Sequence, residues 1–219
     1  MVEAQIKLSA AIMAVPERSE QARHLCELLA NQGLYAQIIF DTDRTEWHTG
    51  KRALLTYDDD ADYHIVLQDD AIIGDNFVKN AIAAIQDVPV RTLISFYTGK
   101  TRPYKISVQE AVDKAKRGDG SWLTFNTLLW GVGIAIPTEQ IPSIAYANSS
   151  IMAYDRRVGQ FYKAVGKSVY YTFPSIVDHD DEMPSALNHQ TTGRRVAHKF
   201  SVDDESFEGL IFPIGGSYS

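Results

Sequence analysis

Residues 63–70 read Tyr-His-Ile-Val-Leu-Gln-Asp-Asp. A short, nearly continuous apolar run of this kind marks a strand buried on both faces. It ends in two adjacent carboxylates, Asp69 and Asp70, which therefore emerge at the strand's mouth. Adjacent carboxylates repel unless a cation or water separates them. A hard divalent metal, held by oxygen ligands, is one such cation. A turn or a helix cap would accommodate an Asp-Asp pair as well.

Outward from this stretch, Leu8 to Val15 is a second buried run, broken by Pro16. A helix follows with apolar positions Ala22, Leu25, Cys26, Leu28 and Leu29, and Gly33 is placed as its stop. Tyr35 to Phe40 reads as a strand ending at Asp41, and a short helix is expected over about 50–57. Asp75 is positioned to cap a helix whose apolar face is Phe77, Val78, Ala81, Ile82 and Ile85. Strand signal returns at Thr92 to Tyr97. Ser107 and Glu110 have the spacing of a capping box, opening a helix that stops at Gly118. Thr127 to Ile136 reads as a strand containing Gly131 and Gly133, where another group approaches closely. Tyr154, Val158, Phe161, Tyr162 and Val165 form a helical stripe closed by Gly166. Ser168 to Ile176 is the last clear strand; beyond Asp203 the chain reads as a tail with an apolar clip at Leu210 to Ile214.

Strands alternating with helices through the first 90 residues imply an α/β fold with a mostly parallel central sheet flanked by helices. Ligands of such sheets bind outside the carboxyl ends of the strands. Pro16-Glu17-Arg18, Asp41 and Asp69-Asp70 are thereby expected on one edge.

The 219 residues suit one sizeable core rather than two full domains. With 45% hydrophobic and 22% charged residues, the composition is that of a globular chain. No apolar run reaches the roughly 18 residues of a membrane span. The first 20 residues lack a secretory layout, and Cys26 is the sole cysteine, so a reducing, cytoplasmic setting is expected. The net charge of −7 disfavours a nucleic-acid coat. The charge is uneven, however: residues 91–118 carry seven cations against Glu110 and Asp113, for a net +5. That is either a solvated surface or an anion-facing segment.

Two further stretches carry chemistry. Ile176-Val177-Asp178-His179-Asp180-Asp181-Glu182 sets a histidine among acids after a strand, either a metal ligand or a salt-bridged surface loop. Asp155 opens the amphipathic helix, where an acid suits the helix dipole and would also serve as a general base toward a hydroxyl.

Several stretches together resemble a nucleotide-sugar glycosyltransferase of the GT-A fold, similar to the large inverting family and to lipopolysaccharide-type transferases with an acid-Asp-Asp signature. They are Ala11 to Arg18, Ile65 to Ile72, Trp130-Gly131-Val132-Gly133, Tyr154 to Arg157 and Tyr171 to His179. They run in the family's order over residues 8–185, in the compact style of phage and bacterial enzymes.

The resemblance implies one catalytic domain over 1–200, with a nucleotide half at about 1–90, an acceptor half at about 91–200 and a tail at 201–219. It implies transfer of a sugar, with inversion, from a nucleoside-diphosphate sugar such as a UDP-sugar to an acceptor hydroxyl. Val15, Pro16, Glu17 and Arg18 would border the nucleotide, and Asp41 the base or ribose. Gln68 and Asp69 would lie along the donor, with Gln68 departing from the family's acid at that place. Asp70 and His179 would ligate Mn2+ or Mg2+, entering with the donor, and Arg52 would add charge near the phosphates. Asp155 would be the base, and Trp130 with Gly131 would line the sugar site. The acceptor would be a glycan, a protein side chain or, as a minority option, hydroxymethylated DNA. Alternatives are a nucleotidyltransferase, against which the glycine-free turn Val15-Pro16-Glu17 counts, and a non-catalytic GT-A-like assembly subunit.

Overall fold

Strand β1 (Leu8–Ala14) is buried along nearly its whole length, as its unbroken apolar sequence requires. It lies between β2 (Ala36–Phe40) and β3 (Tyr63–Gln68), parallel to both, with Ala10 opposite Ala36 and Ile65. All three strands end on one edge of the sheet, where Val15, Asp41 and Asp69 emerge together. The computed structural model describes residues 6–101, 103–182 and 194–215.

Between β1 and β2, Pro16–Arg18 forms a single 3-10 turn with proline in its first turn, where no N–H is lost. Helix α1 (Ser19–Asn31) follows, burying Ala22, Leu25 and Leu29. The Gly33 N–H donates to the Ala30 carbonyl and the Leu34 N–H to the Leu29 carbonyl. This Schellman closure needs a left-handed residue, and Gly33 supplies it at φ +82°. Helix α2 (Glu46–Leu54) joins β2 to β3, starting earlier than the 50–57 expected.

The remaining elements are β4 (Ala71–Ile73), α3 (Phe77–Asp87), β5 (Ile94–Ser95), α4 (Lys105–Arg117), β6 (Gly120–Phe125), β7 (Gly133–Pro137), α5 (Ile141–Tyr146), α6 (Tyr154–Ala164), β8 (Val169–Thr172), β9 (Val177–His179) and β10 (Leu210–Pro213). Eight strands form one sheet in the order β10-β6-β8-β5-β7-β3-β1-β2. Four of its seven pairings are parallel and three antiparallel. The fold is thus α/β, Rossmann-like, with a mostly parallel central sheet between helices. Strands from both expected halves, 1–90 and 91–200, share that sheet. Among the described residues, no helix is long and apolar enough to cross a membrane.

Other local expectations change too: the strands expected over 92–97 and 168–176 shorten to Ile94–Ser95 and Val169–Thr172. Residues 127–132 are loop, and the strand begins only at Gly133. Helix α4 starts at Lys105, after Tyr104 at φ 57°, so Ser107 lies inside the first turn and caps nothing. Asp75 does not cap α3; Asn76 stands there without a side-chain cap bond. Residues 177–179 are not loop but strand β9, paired antiparallel with β4. The 201–219 segment, as far as residue 215, is stitched to the domain rather than trailing from it. The Asn80 side chain donates to the Asp203 carbonyl at 2.8 Å and accepts the Glu205 N–H at 3.1 Å. Phe207 is fully buried against Trp122, and β10 runs parallel to β6. Burial of Phe207 and Ile214 outweighs the segment's polar composition.

Candidate functional site

The turn after β1 folds Arg18 inward onto two carboxylates. Its Nη1 donates at 2.8 Å to Asp69 Oδ1 and at 2.8 Å to Asp70 Oδ2. All three side chains are below 10% exposed. The Val15 N–H donates to Asp69 Oδ2 at 2.8 Å. His179 Nε2 stands 3.3 Å from Asp70 Oδ2. The ladder between β4 and β9 explains that contact: Ala71 lies opposite His179, and the Asp180 N–H donates to the Asp70 carbonyl. Burial lifts the Asp69 carboxyl above the usual range despite Val15 and Arg18. Burial acts upward on Asp70 too, but His179 and Arg18 together hold it below that range. A cavity of about 450 Å3 opens between α1 and β4 onto this cluster, with Glu20, His24, Ile72 and Asp180 in its wall. Its four carboxylates, counting Asp69 and Asp70, suit hydroxyls rather than phosphates.

A second group of acids meets where the N-termini of α2 and α6 abut. The Trp47 N–H donates to the Met152 carbonyl at 2.9 Å, and the Glu46 carboxylate accepts the Tyr154 N–H. Burial, then the neighbouring Asp155 and Asp41 carboxylates, push Glu46 from 4.5 up to about 7. Tyr154 is fully buried, and two glycines make room for its ring. A Cβ on Gly50 would sit 2.2 Å from that ring, and one on Gly131 at 3.0 Å from it and 3.3 Å from the Asp155 Cβ.

The two groups belong to one rim. Gly131 backs onto Asp155, and the next carbonyl, Val132, accepts the Gln68 N–H at 2.9 Å. On the other side the Asp41 N–H donates to Ala14 at 2.7 Å, beside the Val15 that holds Asp69. Asp69, Val15, Asp41, Glu46, Asp155, Gly131 and Gln68 thus follow one another around the carboxyl edge of β1–β3.

Other sequence candidates are placed differently. Pro16 is exposed, and Glu17 turns outward to an ion pair with Arg44. Asp41 Oδ1 accepts the N–H groups of Asp43 and Thr45, holding the turn into α2. Arg52 donates to the Phe40 carbonyl at 2.6 Å. Trp130 is 8% exposed and packs edge-on against Tyr97 and Tyr171, a core position that leaves little face for stacking on a sugar. Within the basic segment, α4 packs against β6 and β10, at the sheet edge opposite β1 and β2, so its cations do not serve this rim. Glu46 is not among the sequence candidates because the expected helix over 50–57 excludes it; its place as the first residue of α2 is the signal that identifies it.

The raised Glu46 makes a pH prediction. The folded state holds this proton more tightly than the unfolded chain, so stability falls as pH rises from 4.5 through about 7. Glu46→Gln removes that fall. Its melting temperature relative to wild type is expected to climb across this window, and parallel pH profiles for the two proteins would refute the assignment.

Three solved structures are similar to this chain at low identity. The catalytic domain of Drosophila β1,4-galactosyltransferase 7, solved with xylobiose, is 12% identical over 88% of this chain and 71% of that one, with a TM-score of 0.47. The protein A197 from STIV is 12% identical over 90% and 96%, with a TM-score of 0.46. The inositol-1-phosphate CTP transferase from T. maritima is 7% identical over 77% and 86%, with a TM-score of 0.40. No protein-family model and no curated protein matches the chain.

Proposed function

We propose that the chain is a GT-A-type glycosyltransferase that moves a hexose from a nucleoside-diphosphate sugar, with UDP as the first candidate, to an acceptor hydroxyl with inversion. The observation that carries this reading is the Asp155–Glu46 pair on the same rim as Asp69 and Asp70. A general base must work near the ambient pH. Burial first, and then the neighbouring Asp155 carboxylate, raise Glu46 to about 7. Glu46 then keeps a proton near neutrality, and Asp155 is the carboxylate we assign to receive one.

In the proposed step, the acceptor oxygen attacks the anomeric carbon while its proton passes to Asp155. The bond from that carbon to the diphosphate oxygen breaks, and the diphosphate leaves with the electron pair. Attack opposite the leaving group inverts the centre in a single displacement. Gln68 offers an amide to a ribose hydroxyl, and the hydroxyl-friendly cavity beside Asp70 favours a carbohydrate acceptor over DNA.

A divalent metal, when bound, would act as a Lewis acid on the departing diphosphate. The residues do not fit one. Arg18 already stands between the two carboxylates, and no group of three His, Cys, Asp or Glu among the described residues is arranged to hold an ion.

The test is a thermal-shift panel of UDP, GDP, dTDP and CDP. One nucleoside diphosphate at saturating concentration is expected to raise the melting temperature by roughly 2–6 °C. A flat response to all of them would remove the donor reading.

A further inference from the structure

We infer that Arg18 is the resident cation of the Asp69–Asp70 pair, and that this pair anchors a metal-independent site rather than serving as a ligand set for Mn2+ or Mg2+. The position a divalent ion would share between the carboxylates is taken by one guanidinium nitrogen, 2.8 Å from an oxygen of each. A guanidinium does not give up its charge in a protein, so it cannot neutralise and withdraw. The other oxygen of Asp69 is committed to the Val15 N–H. Asp70 Oδ2 is shared between Arg18 and His179. Of the four carboxylate oxygens, only Asp70 Oδ1 has no hydrogen-bond partner among the described residues; it is sealed from solvent, as is the unpartnered His179 Nδ1. One buried oxygen and one ring nitrogen fall far short of the roughly six oxygen ligands that Mg2+ or Ca2+ demands.

The placement is also built in. Val15 precedes the 3-10 turn that Arg18 completes, and the Arg18 N–H donates to the Val15 carbonyl at 3.0 Å. The turn that fixes Asp69 through its backbone therefore delivers the guanidinium to both acids. A mobile surface arginine would have no such tether.

The experiment is Mn2+ binding to the nucleotide-free protein, read by the electron paramagnetic resonance of free Mn2+ and by thermal shift with Mn2+ against EDTA. Wild type is expected to leave about 1 mM Mn2+ free and to melt at the same temperature in both. Arg18→Ala vacates the carboxylate pair and is expected to gain Mn2+ binding and roughly 3–6 °C of stabilisation by the ion. Saturable binding to wild type that disappears in Asp70→Asn would overturn the inference, and so would a folded Arg18→Ala protein that still ignores Mn2+. If Arg18→Ala does not fold, the wild-type titration alone decides. None of these readings needs a donor, so failure of the nucleotide panel leaves them intact, and a positive panel does not presuppose them.

Discussion

Arg18→Ala is expected to lose about 3–5 kcal/mol of unfolding free energy in EDTA, the range for removing one partner from a buried ion pair. In the native chain Asp69 and Asp70 are below 10% exposed, and the substitution takes away the charge that faces both. Among the described residues, the ion pairs give the two carboxylates no other basic partner than the His179 ring beside Asp70. The loss compares with the total stability of a typical domain, about 5–15 kcal/mol. Urea denaturation at neutral pH measures it. The deficit should shrink in acid, because a protonated carboxyl no longer needs a counter-cation. A variant within about 0.5 kcal/mol of wild type, the ordinary range for a surface substitution, would mean that the pair is solvated rather than buried.

The second large effect concerns chemistry. Asp155→Asn should cut sugar transfer by about a hundred- to ten-thousand-fold, the usual contribution of a positioned general base. Asparagine keeps the size and the helix-opening position, so α6 and the contact with Gly131 are preserved. Nucleotide binding should therefore be unchanged in the same thermal-shift assay. A variant that turns over normally places the base elsewhere, with Glu46 next to be tested. A variant that loses nucleotide binding as well assigns Asp155 to the donor.

Much of this was legible in the sequence. The buried runs Leu8–Val15 and Tyr63–Leu67 were legible as strands, and the structure makes them parallel neighbours ending on one edge. Gly33 and Gly166 marked helix ends correctly, because only a left-handed residue closes a Schellman turn cheaply. What stayed hidden depends on contacts distant in sequence. Arg18 reads as one polar residue in a turn, and nothing local says that it points at Asp69. Strand β6 lies in Gly-Ser-Trp-Leu-Thr-Phe, too short and too mixed to declare itself without β8 and β10 on either side. Strand β9 hides among acids, where local composition says loop and only pairing with β4 says otherwise.

That short ladder sets an order of events. Ala71 and His179 are opposite each other yet 108 positions apart. Closing a loop of that length carries an entropic cost that three residue pairs cannot meet alone. The large sheet between them must first draw the two segments into range. Asp70 and His179 are therefore expected to become neighbours only after β5, β7 and β8 have assembled. Pulse-labelled amide exchange at Ala71 and His179 during refolding tests this: protection arriving with that of the central strands would reject it.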